Sequence, residues 1–114
     1  MTLARRKFPR RDFNSVVGVL YRGNYSLERT QQVGEGGMML SYAPGTLPDG
    51  ALLAVSFYLP SGELIMLRGS VRYNSPLKPG DSPRYGIEFL NVNFHYKREI
   101  RNYVAAALKL TDLR

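Results

Sequence analysis

Two arginines four residues apart, Arg6 and Arg10, are the side chains of this sequence best suited to act on an anion. They belong to the run Arg5-Arg6-Lys7-Phe8-Pro9-Arg10-Arg11, which holds five of the 16 Lys and Arg in the chain. Pro9 does not fit a helix interior and biases Phe8 toward an extended backbone. In an extended chain, residues four apart project from the same side, roughly 13 Å apart at about 3.3 Å per residue. Each guanidinium presents a rigid fork of donors that matches a phosphate or the O6/N7 edge of guanine. Residues 1–12 are therefore expected to be an extended, partly mobile arm that grips a planar anion. The competing reading is a solvated basic leader that only aids solubility.

A second stretch could meet the same ligand. Gly34-Glu35-Gly36-Gly37 puts three glycines in four positions, so a ligand can approach the backbone closely. Other chemistry finds little support. The 114 residues contain no Cys and a single His, His95, which excludes a thiolate site and leaves no His/Asp/Glu cluster with ligand spacing. No G-x-S-x-G setting and no GxxxxGK[ST] loop occur. A non-enzyme without a cofactor or metal is expected. The formal net charge of +7 calls for an anionic partner: nucleic acid, nucleotide or anionic lipid. The basic start has no apolar signal stretch and no run is long enough to span a bilayer, so the cytoplasm is the expected compartment and no membrane insertion is expected.

The elements that must position these residues are mostly strands. Residues 13–21 read as a strand with apolar residues on both sides, as in a closed or covered sheet. Arg22-Gly23-Asn24 signals a turn, and residues 25–33 a more polar strand. Residues 38–42 resume as a strand, and 43–50 form a Pro- and Gly-rich loop. Residues 51–59 place Leu53, Val55, Phe57 and Leu59 on one face. After Pro60-Ser61-Gly62, residues 64–73 place Ile65, Leu67, Gly69, Val71 and Tyr73 on one face and Arg68 and Arg72 on the other. A loop over 74–83 precedes a last strand at 84–90, with Tyr85, Ile87 and Phe89 inward. Tyr96, Ile100, Tyr103, Val104, Ala107 and Leu108 then recur at helical spacing, with Asn93 as N-cap. The expected fold is mainly β: about six antiparallel strands closed into a small barrel, with a C-terminal helix over one opening or face. Residues 13–114 form its single domain.

The order of arm, strand, Gly-rich turn, strand pairs and terminal helix resembles the PilZ domain family, over roughly residues 5–109. Members of that family are small barrels, many of which bind the bacterial second messenger cyclic di-GMP through two motifs. Arg6-Lys7-Phe8-Pro9-Arg10 matches the first, RxxxR, with Arg5 as the frequent leading Arg. Gln32-Val33-Gly34-Glu35-Gly36-Gly37 aligns with the second, [D/N]xSxxG. The Leu-Pro-Ser-Gly hairpin, Gly69-Ser70-Val71-Arg72 and Tyr85-Gly86-Ile87-Glu88-Phe89 resemble later family strands. The resemblance implies a ligand site for cyclic di-GMP at Arg5, Arg6, Arg10, Gln32, Gly34 and Gly37, and signalling to a downstream protein partner.

The second motif departs from the pattern at two positions. Gln32 keeps an amide on a longer stem, and Gly34 offers only its backbone N–H where the pattern has Ser. A lost hydrogen bond to a charged group is worth about 1.5–3 kcal/mol, or ten-fold and more in affinity. Three functional readings therefore stand: a cyclic di-GMP receptor, a PilZ-like adaptor that works by protein contact alone, and a basic barrel binding single-stranded nucleic acid. The last is disfavoured because the aromatics fall mostly on expected core faces, where Tyr42, Tyr58 and Tyr73 read as packing residues. Affinity for a polymer would fall steeply with salt. Glu35 reads as a solvated turn residue, Arg68 and Arg72 as exposed strand positions, and His95 as structural or exposed.

Overall fold

The computed structural model describes residues 10–75 and 83–112, with side chains over 10–73 and 83–106. Arg5 and Arg6 lie outside the described residues. The elements are β1 (Arg10–Tyr21), β2 (Asn24–Gly34), β3 (Gly37–Ser41), β4 (Leu52–Tyr58), β5 (Leu64–Ser75), β6 (Arg84–Leu90) and α1 (Phe94–Asp112). The six strands form a closed antiparallel barrel in the order β1-β2-β3-β6-β5-β4. Closure is made by Gly18, Val19 and Leu20 of β1 against Ser56, Val55 and Ala54 of β4. The mainly β architecture expected from the alternation of the sequence is what the chain adopts.

Period-two alternation fills the interior. Val17 and Val19, then Leu53, Val55 and Phe57, then Tyr85, Ile87 and Phe89 are all buried. The β1–β2 hairpin is a two-residue turn in which Arg22 (φ 50°) and Gly23 (φ 79°) are both left-handed, as a type I′ turn demands. Asn93 caps α1, its Oδ1 accepting from the Tyr96 N–H at 2.8 Å. Ile100 and Val104 on the inner face of α1 complete the core, and Tyr103 meets Phe13 edge-to-face.

Three expectations are corrected. The apolar residues on both sides of residues 13–21 suggest two covered faces, but Val16 and Leu20 on the second side are about half exposed, because closure turns only the Val17 and Val19 side inward. Tyr58 ends β4 pointing outward and exposed instead of packing. Tyr73 does not continue the inward line of β5: an irregularity between Val71 and Tyr73 shifts the register by one residue and turns Tyr73 out. The loop over 43–50 is a loop, as expected, and it adds Leu47 to the core: Leu47 is buried and its N–H donates to the Tyr85 hydroxyl at 3.1 Å. Strand bounds move as well. β1 already begins at Arg10, so residues 10–12 are paired in the sheet.

Candidate functional site

The paired start of β1 fixes Arg10. Its Cα stands opposite Gly34, so the second Arg of RxxxR and the glycine at the Ser position of the second motif are neighbours across β1 and β2. One register row continues across the sheet: Asp12 faces Gln32, Gln32 faces Met39, Met39 faces Gly86, and Gly86 faces Tyr73. Gln32 and Tyr73 are thus brought onto one row, with β3 and β6 between them, by pairings far apart in sequence.

Tyr73 is the site residue that sequence reasoning placed wrongly. Its ring lies flat over Gly86, where a Cβ would collide with the ring carbons. Its hydroxyl accepts a hydrogen bond from Arg10 Nη1 at 3.3 Å. The ring is partly exposed and holds the guanidinium beside it. The signal was present as Tyr73 and Gly86, one large and one absent side chain, but only the pairing of β5 with β6 shows that they meet.

The Gln32 backbone is set by an irregularity in β2 between Thr30 and Gln32. Thr30 is buried, and its hydroxyl donates to the Met39 carbonyl oxygen at 2.6 Å, which pins the β2–β3 edge at that point. Gln31 Nε2 donates to Ser41 Oγ at 2.8 Å, so Gln31 braces β3 while Gln32 stays half-buried on the site row.

The Gly-rich turn is anchored on both sides. Gly37 faces Glu88, and a Cβ at Gly37 would run into the Ile87 carbonyl oxygen, so β3 and β6 approach too closely there for any side chain. Gly36 O accepts from the Phe89 N–H at 2.9 Å. Gly37 therefore has a packing role whatever binds nearby. Glu35, expected to be solvated, instead receives two hydrogen bonds from Arg101 of α1, from Nε at 3.2 Å and from Nη2 to the other oxygen. These hydrogen bonds, with the charges of Arg101 and Lys97, hold the Glu35 carboxyl below the usual carboxylate range, against the opposing effect of burial.

The root of the arm is tied to the same helix. Arg11 Nη1 donates to the Tyr103 carbonyl at 2.9 Å, and its guanidinium stacks 4.0 Å from the Tyr103 ring centroid. The Tyr103 hydroxyl donates to the Asp12 carbonyl at 3.3 Å. Both halves of the candidate site, the start of β1 and the glycine turn, are thus fastened to α1. Elsewhere, Arg72 pairs with Glu88 at 3.2 Å and His95 with Glu63 at 3.0 Å, both at the surface. Among the described residues no group of three or more His, Asp or Glu is set to hold a metal, and no helix is long and apolar enough to cross a membrane.

A six-stranded antiparallel barrel with RxxxR leading into its first strand, a glycine turn beside it and a terminal helix packed against its core defines a class of small β-barrel domains. The chain belongs to the PilZ domain family, whose model matches residues 4–106. Its fold is similar to the PilZ domain of YcgR from Escherichia coli, solved with c-di-GMP, at 17% identity and a TM-score of 0.72, covering 94% of each chain. It is also similar to the inhibitor of motility MotI/DgrA of Bacillus subtilis, at 17% identity and a TM-score of 0.80, covering 91% of this chain and 51% of that one. The MrkH–c-di-GMP complex of K. pneumonia matches at 17% identity and a TM-score of 0.72, over 96% of this chain and 56% of that one. The chain thus spans about half the length of the MotI/DgrA and MrkH chains. Comparison with curated proteins by sequence gave no match.

Proposed function

We propose that this chain is a cyclic di-GMP receptor that acts as an adaptor and not as an enzyme. The observation that carries the reading is the juxtaposition of Arg10, Gly34 and the Gln32 row by the β1–β2 pairing, with Tyr73 holding the Arg10 guanidinium. Arg10, with Arg5 and Arg6 of the preceding segment, supplies charge-assisted hydrogen bonds to the guanine edge and the phosphates. The Gln32 amide and the backbone N–H of Gly34 supply neutral polar contacts, and Gly37 lets the strand run close beneath them. The PilZ membership and the c-di-GMP complexes of YcgR and MrkH support the ligand class.

The output in this reading is closure of the stretch preceding β1, residues 5–9, over the ligand, which changes the surface offered to a downstream protein. Limited trypsin digestion tests it. Saturating cyclic di-GMP should slow cleavage after Arg5, Arg6 and Lys7 in the unaltered chain and leave it unchanged in Arg10→Ala. Equal cleavage with and without ligand, under conditions where binding is measured, would sink the closure step.

The second reading, an adaptor that makes protein contacts without nucleotide, is favoured by one feature: the motif's Asp/Asn and Ser positions are Gln32 and Gly34 here.

A further inference from the structure

The outer wall made by β2, β1, β4 and β5 carries apolar side chains that the core does not use. One register row runs Leu27–Gly18–Ser56–Met66, and the next runs Tyr25–Leu20–Ala54–Arg68. Leu27 is 67% exposed, Met66 60% and Tyr25 64%. Gly18 keeps the middle of the wall level: a Cβ there would collide with the hydroxyl of Tyr25, whose side chain lies across it. Contiguous apolar exposure of this kind marks a surface that something covers.

The charges on the wall are all of one sign. Arg22, Arg29 and Arg68 are exposed around the apolar residues. Over 16–20, 25–29, 52–58 and 64–68 the only carboxylate is Glu28, which is buried and accepts from the Ala43 N–H at 3.1 Å. An open cavity of about 320 Å³ lies against the wall, lined by Leu20, Leu52 and Ala54 together with Arg22 and Arg68. Along β1 the wall's Leu20 stands roughly 25 Å from Asp12 of the ligand row, at about 3.3 Å per residue.

We propose that this wall is a peripheral docking surface for an anionic lipid bilayer. Leucine and methionine side chains enter the boundary between headgroups and acyl chains, and the amphipathic Tyr25 ring suits that boundary. The cavity between Arg22 and Arg68 receives an anionic headgroup, and the remaining cations are drawn to the surface charge. A second copy is a poor occupant, because it would set like-charged arginines against one another. A folded acidic protein fits the sign of the charge, but the wall has no outward carboxylate to fix a register against it, whereas a fluid anionic surface needs none. This inference goes beyond the nucleotide reading and does not depend on it.

The test is cosedimentation of the full chain with vesicles of phosphatidylcholine alone and of phosphatidylcholine mixed with phosphatidylglycerol. The basic arm will also attract anionic vesicles, so the wall variants decide the matter. Leu27→Glu with Met66→Glu, and separately Arg22→Glu with Arg68→Glu, should each weaken binding to the mixed vesicles by about ten-fold or more. Part of the binding of the unaltered chain should survive high salt, which screens charge-only attraction. All four positions are exposed, and unchanged thermal unfolding of either pair keeps the comparison valid. Three outcomes would overturn the proposal: no binding of the unaltered chain, binding by either variant pair equal to that of the unaltered chain, or a dimer in sedimentation velocity that Leu27→Glu with Met66→Glu dissolves.

Discussion

Tyr73 does most to shape the candidate site at the scale of single residues. Its hydroxyl is the acceptor that positions Arg10 Nη1, and its ring occupies the space left by Gly86. Removing only the hydroxyl should loosen the guanidinium without disturbing the ring. Tyr73→Phe is therefore expected to weaken cyclic di-GMP binding by about 3- to 10-fold, the worth of one hydrogen bond, with unchanged thermal stability. An unaltered affinity would show that Arg10 needs no such partner. Gly37 makes a different prediction. A methyl group there meets the Ile87 carbonyl oxygen, part of a paired backbone that cannot swing aside. Gly37→Ala should cost about 1–3 kcal/mol in urea unfolding, even without ligand. A neutral substitution would mean that β3 and β6 part easily.

Much of the element scale was legible in the sequence. Alternation in 51–59 and 84–90 follows directly from burial of every second residue, and Arg22-Gly23-Asn24 signals a turn, although the positive φ of Arg22 that makes it type I′ could not be read from the residue type. The Asn93 cap and the Ile100/Val104 stripe are equally local signals. Tyr73 was misjudged because strand irregularities leave no mark in period-two counting, and one extra residue reverses every later side chain. Glu35 was misjudged because its partner, Arg101, lies 66 residues away on α1. That pair has a pH signature. Its carboxyl is held below its ordinary value, so the stabilisation is present above the unfolded-state pKa, about 4.3, and is lost as pH falls through the folded value. Between about pH 6 and about pH 3 the unaltered chain should lose more stability than Glu35→Gln, which has no such proton to take up. Parallel pH profiles of thermal unfolding would count against a role for the pair in holding α1 to the glycine turn.

At the scale of the whole molecule, the barrel brings the start of β1 and the glycine turn together and fastens both to α1 through Arg11–Tyr103 and Glu35–Arg101. The row of the proposed site and the apolar wall occupy separate stretches of β1, β2 and β5, so one small domain offers two surfaces of different chemistry. The wall was not legible beforehand. Val16 and Leu20 look like core residues in a linear pattern, and only closure of β1 on β4 determines which side is inside. The RxxxR run, by contrast, was readable from residue type and spacing alone, and in the proposed reading the departure at Gln32 and Gly34 leaves most of the charge-assisted contact to the arginines. Isothermal titration of the chain with cyclic di-GMP, beside Arg6→Ala and Arg10→Ala, measures that most directly. Saturable binding that each substitution weakens by about ten-fold or more is the predicted result. No binding at high ligand concentration, or binding indifferent to both arginines, would contradict the receptor reading and leave the ligand-free adaptor in its place.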